Sequence, residues 1–433
     1  MPTRYLIVGQ GVAGIAAAEA IRAADAGGEI TLLSDDPHGY YSRPGLAYYL
    51  TGEISRAHLF PWREEEFQHL RLRRVQGQAS ALDPTGHRLL LSSGAAISYD
   101  RLLLATGSTA VRPNLPGIDL PQVVTLDNLV DAERILALAR KARSAVVVGG
   151  GITALEIVEG LREHCRHVHY LLRGERYWSN VLDETEGRIV LERLAADGVQ
   201  VHFHTELAAI EEQRGCVVSV LTTTGQRIPC DLVAMAIGVA PRAELARAAG
   251  LHVDRGILVD ETLRSSAPDI YAAGDVAQVY DPRAGKALLD TLWNTARSHG
   301  AAAGQNMAGG SVRYVKLTPL NVTRLAGITT TIIGSVGSGR DADLVGIARG
   351  DSEAWRQLGQ ALVAEDEHEV NRLRLLVGPS TLIGAVLMGD QRLSLPLQRL
   401  ISEQTDITPI RAHLLAPNAP LAALLTRFAE SDR

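Results

Sequence analysis

Cysteine is scarce, with only Cys165, Cys216 and Cys230 in 433 residues. An odd number at no metal-ligand spacing argues against a disulfide framework and points to buried thiols in a reducing cytoplasm. Three thiols also cannot hold a four-thiolate iron–sulfur cluster. Long apolar runs are missing, so no stretch reaches the roughly 18 to 20 residues of a membrane span. Positive charge is not in excess. Lys plus Arg total 43 against 49 Asp plus Glu, a net charge of −6, which is the wrong balance for a nucleic-acid surface. Strand character begins at Tyr5, so no signal or transit peptide is expected. What is present is the composition of a soluble globular protein, 46% hydrophobic and 21% charged, with length for two or three domains.

The chain is organised around residues 4–44. Tyr5 to Val8 is an apolar strand. It breaks at Gly9, Gly11 and Gly14, spaced G-x-G-x-x-G with Ala13 inside the turn, and runs into an Ala-rich helical stretch, Ile15 to Ala24. A second strand, Ile30 to Leu33, leads to Asp35 and Asp36. This is a complete dinucleotide-binding βαβ pattern. The first glycine permits the tight turn, the second lets backbone approach a pyrophosphate, and the third lets helix pack on strand. The helix N-terminus turns unpaired N–H groups toward the phosphates. The acid is placed for a ribose hydroxyl. Arg43, in the loop beyond, stands where it can pair with the pyrophosphate, a solvated surface arginine being the alternative.

Residues 71–98 read as short strands separated by Gly and Pro turns, and Tyr99 to Leu104 as a further apolar strand ending in Ala105-Thr106-Gly107. The opening pattern then returns. Ala145 to Val148 is a strand, Gly149-Gly150-Gly151-Ile152-Thr153-Ala154 a glycine-rich turn, Leu155 to Arg162 a helix, and His167 to Leu172 a strand. Where a ribose-binding acid is expected stands Leu172, followed by Arg173 and Arg176 with Glu175 between them. Losing the acid and gaining arginines fits a 2′-phosphate, so NADPH is slightly favoured over NADH, although Glu175 can still reach a 2′-hydroxyl. Alternating strands from Val199 to Val233 lead to Gly238. Strands follow at Ile257–Asp260 and Ile270–Asp275, then a helix from Trp293 to Gly304. Beyond about residue 312 lie Thr- and Val-rich strands over 312–336, a hairpin over 370–388 around Gly378-Pro379-Ser380, and a short helix from Leu397 to Glu403. His164, His167, His169, His202 and His204 flank a strand of the nucleotide pattern, with Cys165 the one thiol nearby, and no metal site is assigned to them.

Two fingerprints, Ala105-Thr106-Gly107, and Ala273-Gly274-Asp275 followed by a helix resemble the two-dinucleotide-binding flavoproteins, the pyridine nucleotide-disulfide oxidoreductase superfamily. The resemblance implies an α/β fold with two Rossmann-like domains and a C-terminal α+β interface domain. The FAD domain would be discontinuous, 1–113 with 243–310; the NAD(P)H domain would be 114–242 and the interface domain 311–433. It implies FAD on Gly9, Gly11, Ala13 and Gly14. Asp36 is preferred over Asp35 for the ribose, Ala79 and Ala105 to Gly107 would line the flavin by backbone, and Gly274 and Asp275 would meet its ribityl or pyrophosphate side. Gly149, Gly151, Ile152, Arg173, Arg176 and Gly238 fall to the nicotinamide nucleotide.

Within that superfamily the disulfide-using members carry cysteine near the start of the chain, and residues 36–60 contain none here. Thiol–disulfide exchange requires a thiolate. Tyr41-Ser42-Arg43-Pro44-x-Leu46 instead resembles ferredoxin, rubredoxin and dehydroascorbate-radical reductases and the flavoprotein half of nitrite reductase, as do Glu156, Trp293 and the segment Leu382 to Asp390. That likeness implies that Glu156 orients the nicotinamide, the alternative being a surface ion pair, and that Trp293 covers the nicotinamide–flavin stack, the alternative being a core anchor. Tyr48 occupies the position of a lysine usual in that group.

The reaction so implied is NAD(P)H oxidation through FAD, with electrons leaving to a small carrier protein or a small-molecule acceptor. Arg71, Arg73 and Arg74 could meet an acidic carrier, although a solvated strand face explains them better. A homodimer through the C-terminal domain is one assembly the likeness allows. The alternatives are an NAD(P)H oxidase or diaphorase using oxygen or quinones, and a flavin-based redox sensor resembling apoptosis-inducing factor.

Overall fold

The computed structural model of the protein describes residues 1–281, 285–336, 372–416 and 419–431. Its first sheet is parallel and five-stranded, in the spatial order Ile270–Ala272, Arg101–Leu104, Arg4–Val8, Glu29–Ser34, Leu72–Gln76. Arg4–Val8 lies at the centre and is buried along Tyr5 to Val8, as a strand covered on both faces must be. Its sequence is accordingly a run of apolar residues without alternation. The Val12–Ala24 helix covers one face, and against it lies the Trp293–Met307 helix. That helix pair is held close by missing side chains. A Cβ added at Gly300 would stand 2.1 Å from the Ala13 carbonyl oxygen, and one at Gly304 2.4 Å from that of Ala17. Backbone therefore meets backbone, and an alanine at either glycine has nowhere to go.

The second sheet repeats the plan, with order Val199–His202, His167–Leu171, Ser144–Val148, Leu232–Met235, Val123–Val124, all parallel. An antiparallel sheet of Leu207–Gln213, Cys216–Thr222 and Arg227–Pro229 is set on it. The chain passes between the two units through one antiparallel pair, Ser108–Ala110 with Val239–Pro241. The third sheet is antiparallel, with order Leu320–Leu325, Ile328–Gly334, Leu382–Met388, Arg372–Val377. Helices Ser394–Ser402, Thr408–Leu414 and Leu421–Ser431 follow it in the chain. Leu397, Leu400 and Ile401 bury the apolar stripe of the first of these against the sheet, each such side chain contributing about 1.5–3 kcal/mol when removed from water.

The strand and helix expectations are met near the glycine turns, with departures elsewhere. The strand expected over Ile270–Asp275 stops at Ala272, because Gly274 takes φ +77° and turns the chain into a 3₁₀ turn, Gly274–Val276. Residues 312–319 form no ladder. Val312 N–H goes to the Asn306 side chain at 2.7 Å and Tyr314 N–H to the Glu261 carbonyl at 2.6 Å, so this stretch is a strap across the preceding helix. Helices Leu129–Ala139 and Glu184–Ala196 were not anticipated. The expected hairpin forms from Arg372 to Met388; residues 370 and 371, and 337–371 of the C-terminal unit generally, lie outside the described residues.

Candidate functional site: two nucleotide clefts

The glycines of the first turn divide the labour as the pattern requires. Gly9 has φ +110°, and a Cβ there would fall 2.1 Å from the Ala105 carbonyl oxygen. One at Gly14 would fall 2.0 Å from the Gly9 carbonyl oxygen. These two lock turn, helix and neighbouring strand together. Gly11, between them, has nothing within 4 Å of an added Cβ. It faces a cleft of about 360 Å³ at the C-terminal ends of the parallel strands, where an open α/β sheet holds its ligand.

That cleft gathers most of the expected residues: Gly9, Gly11, Ala13, Asp35, Asp36 and Arg43 from the opening segment, and Ala79, Ala105, Thr106, Gly107, Gly274 and Asp275 from farther along the chain. Gly14 packs beneath the turn and does not line it. Asp36 is half-buried and already engaged. Its Oδ1 accepts from the His38 N–H and its Oδ2 from the Tyr41 hydroxyl, each at 2.9 Å. The Tyr41 hydroxyl in turn accepts from the buried Leu129 N–H at 3.0 Å, and burial pushes its pKa up to about 12. Asp35 is exposed. Arg43 lines the cleft while its Nη1 donates to the Asp127 carbonyl at 3.0 Å. Asp275 accepts from the Ser108 hydroxyl at 2.7 Å.

One residue of the surroundings carried no sequence signal. Asp127 is buried, and its carboxylate accepts from the Thr109 hydroxyl at 2.7 Å and the Ala110 N–H at 2.8 Å, with Arg242 Nη2 at 3.8 Å. Arg242 itself lines the first cleft, and its carbonyl accepts from the Thr106 hydroxyl at 2.8 Å. Asp127 thus fastens the crossing between the units directly behind the cleft.

The second turn has the same construction. Gly149 has φ +145°, with an added Cβ 2.1 Å from the Ala236 carbonyl oxygen, while Gly151 has nothing within 4 Å. Ala154 stands in for the third glycine and packs against Gly149, its Cβ lying 3.2 Å from where a Cβ would be. A second cleft of about 600 Å³ opens here, lined by Gly149, Gly150, Arg173, Arg176, Trp178 and Asn180 among others. The Nε of Arg176 is buried and has no hydrogen-bond partner among the described residues, a donor that an anionic ligand would satisfy. Gly151 caps the helix, Ile152 is buried in the core, and Gly238 takes φ +130° beside this cleft's Ile237 without lining it.

The remaining expected residues lie elsewhere. Glu156 and Tyr48 do come together, but in a narrow pocket between the units, with Glu53, Glu159 and Arg324. Glu156 is 7% exposed, so it is no surface carboxylate. Desolvation raises the neighbouring Glu159 carboxyl to about 8, against the lowering effects of the Gly327 N–H and of Arg324. Trp293 opens its helix half-buried and lines neither cleft. No cysteine lines either cleft. Of the basic run, Arg71 donates to the Ala26 carbonyl and Arg74 pairs with Glu64 at 2.9 Å. His169 Nδ1 and His202 Nε2 are 3.1 Å apart.

Two glycine turns that each lock one face and leave the other open for a diphosphate, on two parallel sheets in one chain, define a protein with two dinucleotide sites. The first cleft fits FAD by its backbone lining and its acid–arginine rim, and the second fits NAD(P)H by its glycine turn and unpaired arginine donor. A profile of the pyridine nucleotide-disulphide oxidoreductase family matches residues 3–300, and the chain belongs to that family. It is an oxidoreductase and uses FAD together with NAD(P)H. It is similar to the biphenyl dioxygenase system ferredoxin–NAD(+) reductase component of Paraburkholderia xenovorans (strain LB400), 35% identical over 81% of this chain and 85% of that one. It is also similar to the NADH-dependent phenylglyoxylate dehydrogenase subunit epsilon of Aromatoleum evansii, 27% identical over 96% of this chain and 95% of that one. The crystal structure of the ferredoxin reductase for the CYP199A2 system from Rhodopseudomonas palustris superposes with a TM-score of 0.84. The identity is 26%, covering 99% of this chain and 100% of that one. No described helix is long and apolar enough to cross a membrane.

Proposed function

We propose that the protein is an FAD-dependent NAD(P)H:acceptor oxidoreductase that delivers electrons to a small carrier protein of the ferredoxin or rubredoxin kind, without a redox-active disulfide. The observation that carries this is the pair of glycine cradles, each with an open second glycine, in a chain with no cysteine on either cleft. The division into an FAD unit (1–113 with 243–310), an NAD(P)H unit (114–242) and a C-terminal unit (311–433) belongs to the same reading and is supported by the three main sheets.

Bound FAD supplies the conversion between a two-electron donor and a one- or two-electron acceptor. The chain's own residues do the rest. Gly11 and the helix N-terminus behind it receive one diphosphate, and Gly151 with its helix receives the other. Asp36, held by Tyr41 and His38, fixes the loop that carries Arg43, so that the guanidinium stays on the cleft rim. Glu156 is assigned to orienting the nicotinamide and Trp293 to covering the nicotinamide–flavin stack, while Tyr48, in the place of a lysine usual beside the flavin, meets Glu156 in the pocket among the three units. Arg173 and Arg176 favour a 2′-phosphate by charge, whereas relatives named for NAD(+) and NADH weigh toward the unphosphorylated nucleotide.

Anaerobic stopped-flow mixing with NADH and then NADPH, followed by ferredoxin, rubredoxin, quinone or oxygen, tests the assignment. Rapid bleaching of the flavin, rapid recovery with a carrier and slow recovery with oxygen are expected. A protein that stays colourless after incubation with FAD overturns the reading. Recovery as fast with oxygen as with any carrier replaces it with an oxidase.

A further inference from the structure

A further cavity lies beside the helix that lines the flavin cleft. Ala296 of the Trp293–Met307 helix faces the first cleft, and His299, less than one turn farther on, faces a separate space of about 180 Å³. The space is closed by the strap over Arg313–Lys316, by the Ala277–Asp281 and Lys286–Leu289 strands and by Asp290. His299 is 1% exposed, yet neither ring nitrogen has a hydrogen-bond partner among the described residues. Its ring meets the edge of Tyr314 at 4.3 Å between centroids, 86° between planes. Leaving a buried imidazole without partners is costly, and a group in the cavity that bonds one ring nitrogen recovers part of that cost.

We propose that this cavity is a binding site for a small, uncharged hydroxylated aromatic ring, a phenol. Three observations select that class. First, size: an apolar cavity of about 150 Å³ takes benzene, so 180 Å³ admits one substituted ring. Second, hydrogen bonding: burial pushes the His299 pKa down to about 3, so the ring is neutral and offers one N–H donor and one lone pair. A hydroxyl group both donates and accepts, and so serves either tautomer; a carbonyl only accepts. Third, charge: three acids, Glu261, Asp281 and Asp290, face the space against two bases, Arg313 and Lys316. Arg313 is already 3.6 Å from Glu261. With the Asp290 pKa raised by burial, the space offers no excess of positive charge to hold a carboxylate or a phosphate. Val279, Leu288 and Val315 supply apolar wall.

Nothing here requires the carrier reading above, because the site touches neither nucleotide cleft. The test is calorimetric titration of the flavin-loaded full-length protein with phenol, toluene and 4-hydroxybenzoate, in the wild type, His299→Leu and Val315→Trp. Val315 is 56% exposed, so a tryptophan there narrows the mouth without entering a packed core. The wild type is expected to bind phenol about tenfold more tightly than toluene, the worth of one recovered hydrogen bond, and to bind 4-hydroxybenzoate more weakly than phenol. His299→Leu should erase the preference for phenol, and Val315→Trp should weaken phenol and toluene alike. The proposal is overturned if phenol and toluene bind the wild type equally, if 4-hydroxybenzoate binds as well as phenol, or if no heat is seen up to millimolar phenol. Phenol binding unchanged in Val315→Trp places the ligand elsewhere and overturns it equally, even if His299→Leu does not fold.

Discussion

Replacing Gly11 by alanine separates the fold of the first glycine turn from its ligand. Gly11 sits at φ −71° and ψ −178°, extended backbone open to any residue, and its added Cβ meets nothing within 4 Å. The apoprotein therefore loses only what alanine loses to glycine as a helix N-cap, about 1 kcal/mol or less. The same methyl occupies the space through which backbone reaches a diphosphate. Losing one charge-assisted hydrogen bond there costs about 1.5–3 kcal/mol, or roughly ten- to hundredfold in FAD affinity. Gly14→Ala provides the contrast. Its Cβ would sit 2.0 Å from the Gly9 carbonyl oxygen, so helix and strand must part, at about 1–3 kcal/mol or more of stability with or without flavin. Urea unfolding of the apoproteins and fluorescence titration with FAD measure both quantities. If Gly11→Ala keeps wild-type flavin affinity, or destabilises the apoprotein as much as Gly14→Ala, the cradle has been misassigned.

Other outcomes follow from contacts between the units. Arg374 holds the fully buried Glu186 through Nε and Nη2, at 2.8 and 3.0 Å, so Arg374→Ala leaves that carboxylate only the Asp183 N–H and Arg372 at 3.7 Å and should cost about 3 kcal/mol in chemical denaturation. Tyr41→Phe removes the partner of both Asp36 and the Leu129 N–H; a loss of about 1–3 kcal/mol and weaker flavin retention on dilution are expected. For Glu159, raised from 4.5 to about 8, the folded state keeps a proton that the unfolded chain releases. The stability due to that proton is therefore complete below the unfolded value and disappears as pH rises toward the folded one. Melting temperatures across that window should fall more steeply for the wild type than for Glu159→Gln. The double variant Arg173→Ala/Arg176→Ala should raise KM for NADPH about tenfold and leave KM for NADH nearly unchanged if the arginines hold a 2′-phosphate; equal effects on both would show that they do not.

The parallel strands and both glycine turns were legible because they are written locally. Apolar runs bounded by glycines describe Arg4–Val8 and Ser144–Val148 without reference to anything distant. Helices Leu129–Ala139 and Glu184–Ala196, absent from the sequence expectations, nonetheless carry local signals. Asn128 caps the first by accepting from the Asp131 N–H at 2.9 Å, and Asp183 with Glu186 forms a capping box at the second. What no local pattern could supply is Asp127. Its partner Arg242 is far along the chain, and neither periodicity nor a motif links them. The same holds for Glu156 and Tyr48. The likeness to the reductases marked each as a candidate, but their meeting in one pocket with Arg324 depends on three units docking. Glycines 300 and 304 are unremarkable in sequence, and only the backbone of Ala13 and Ala17 pressed against them explains them.

The helix pair that closes the first unit has a bearing on when the protein can acquire its flavin. Every strand of the second parallel sheet lies between residues 123 and 235, so that part is complete as soon as it leaves the ribosome. The N-terminal turn, although made first, must wait for Ile270–Ala272 and for the glycines near residue 300 to come back and seat against it. At about 5–20 residues per second, the opening forty residues emerge well before their own support does. If the first turn holds the FAD, loading comes late in biosynthesis, and chains truncated before residue 307 should emerge without colour.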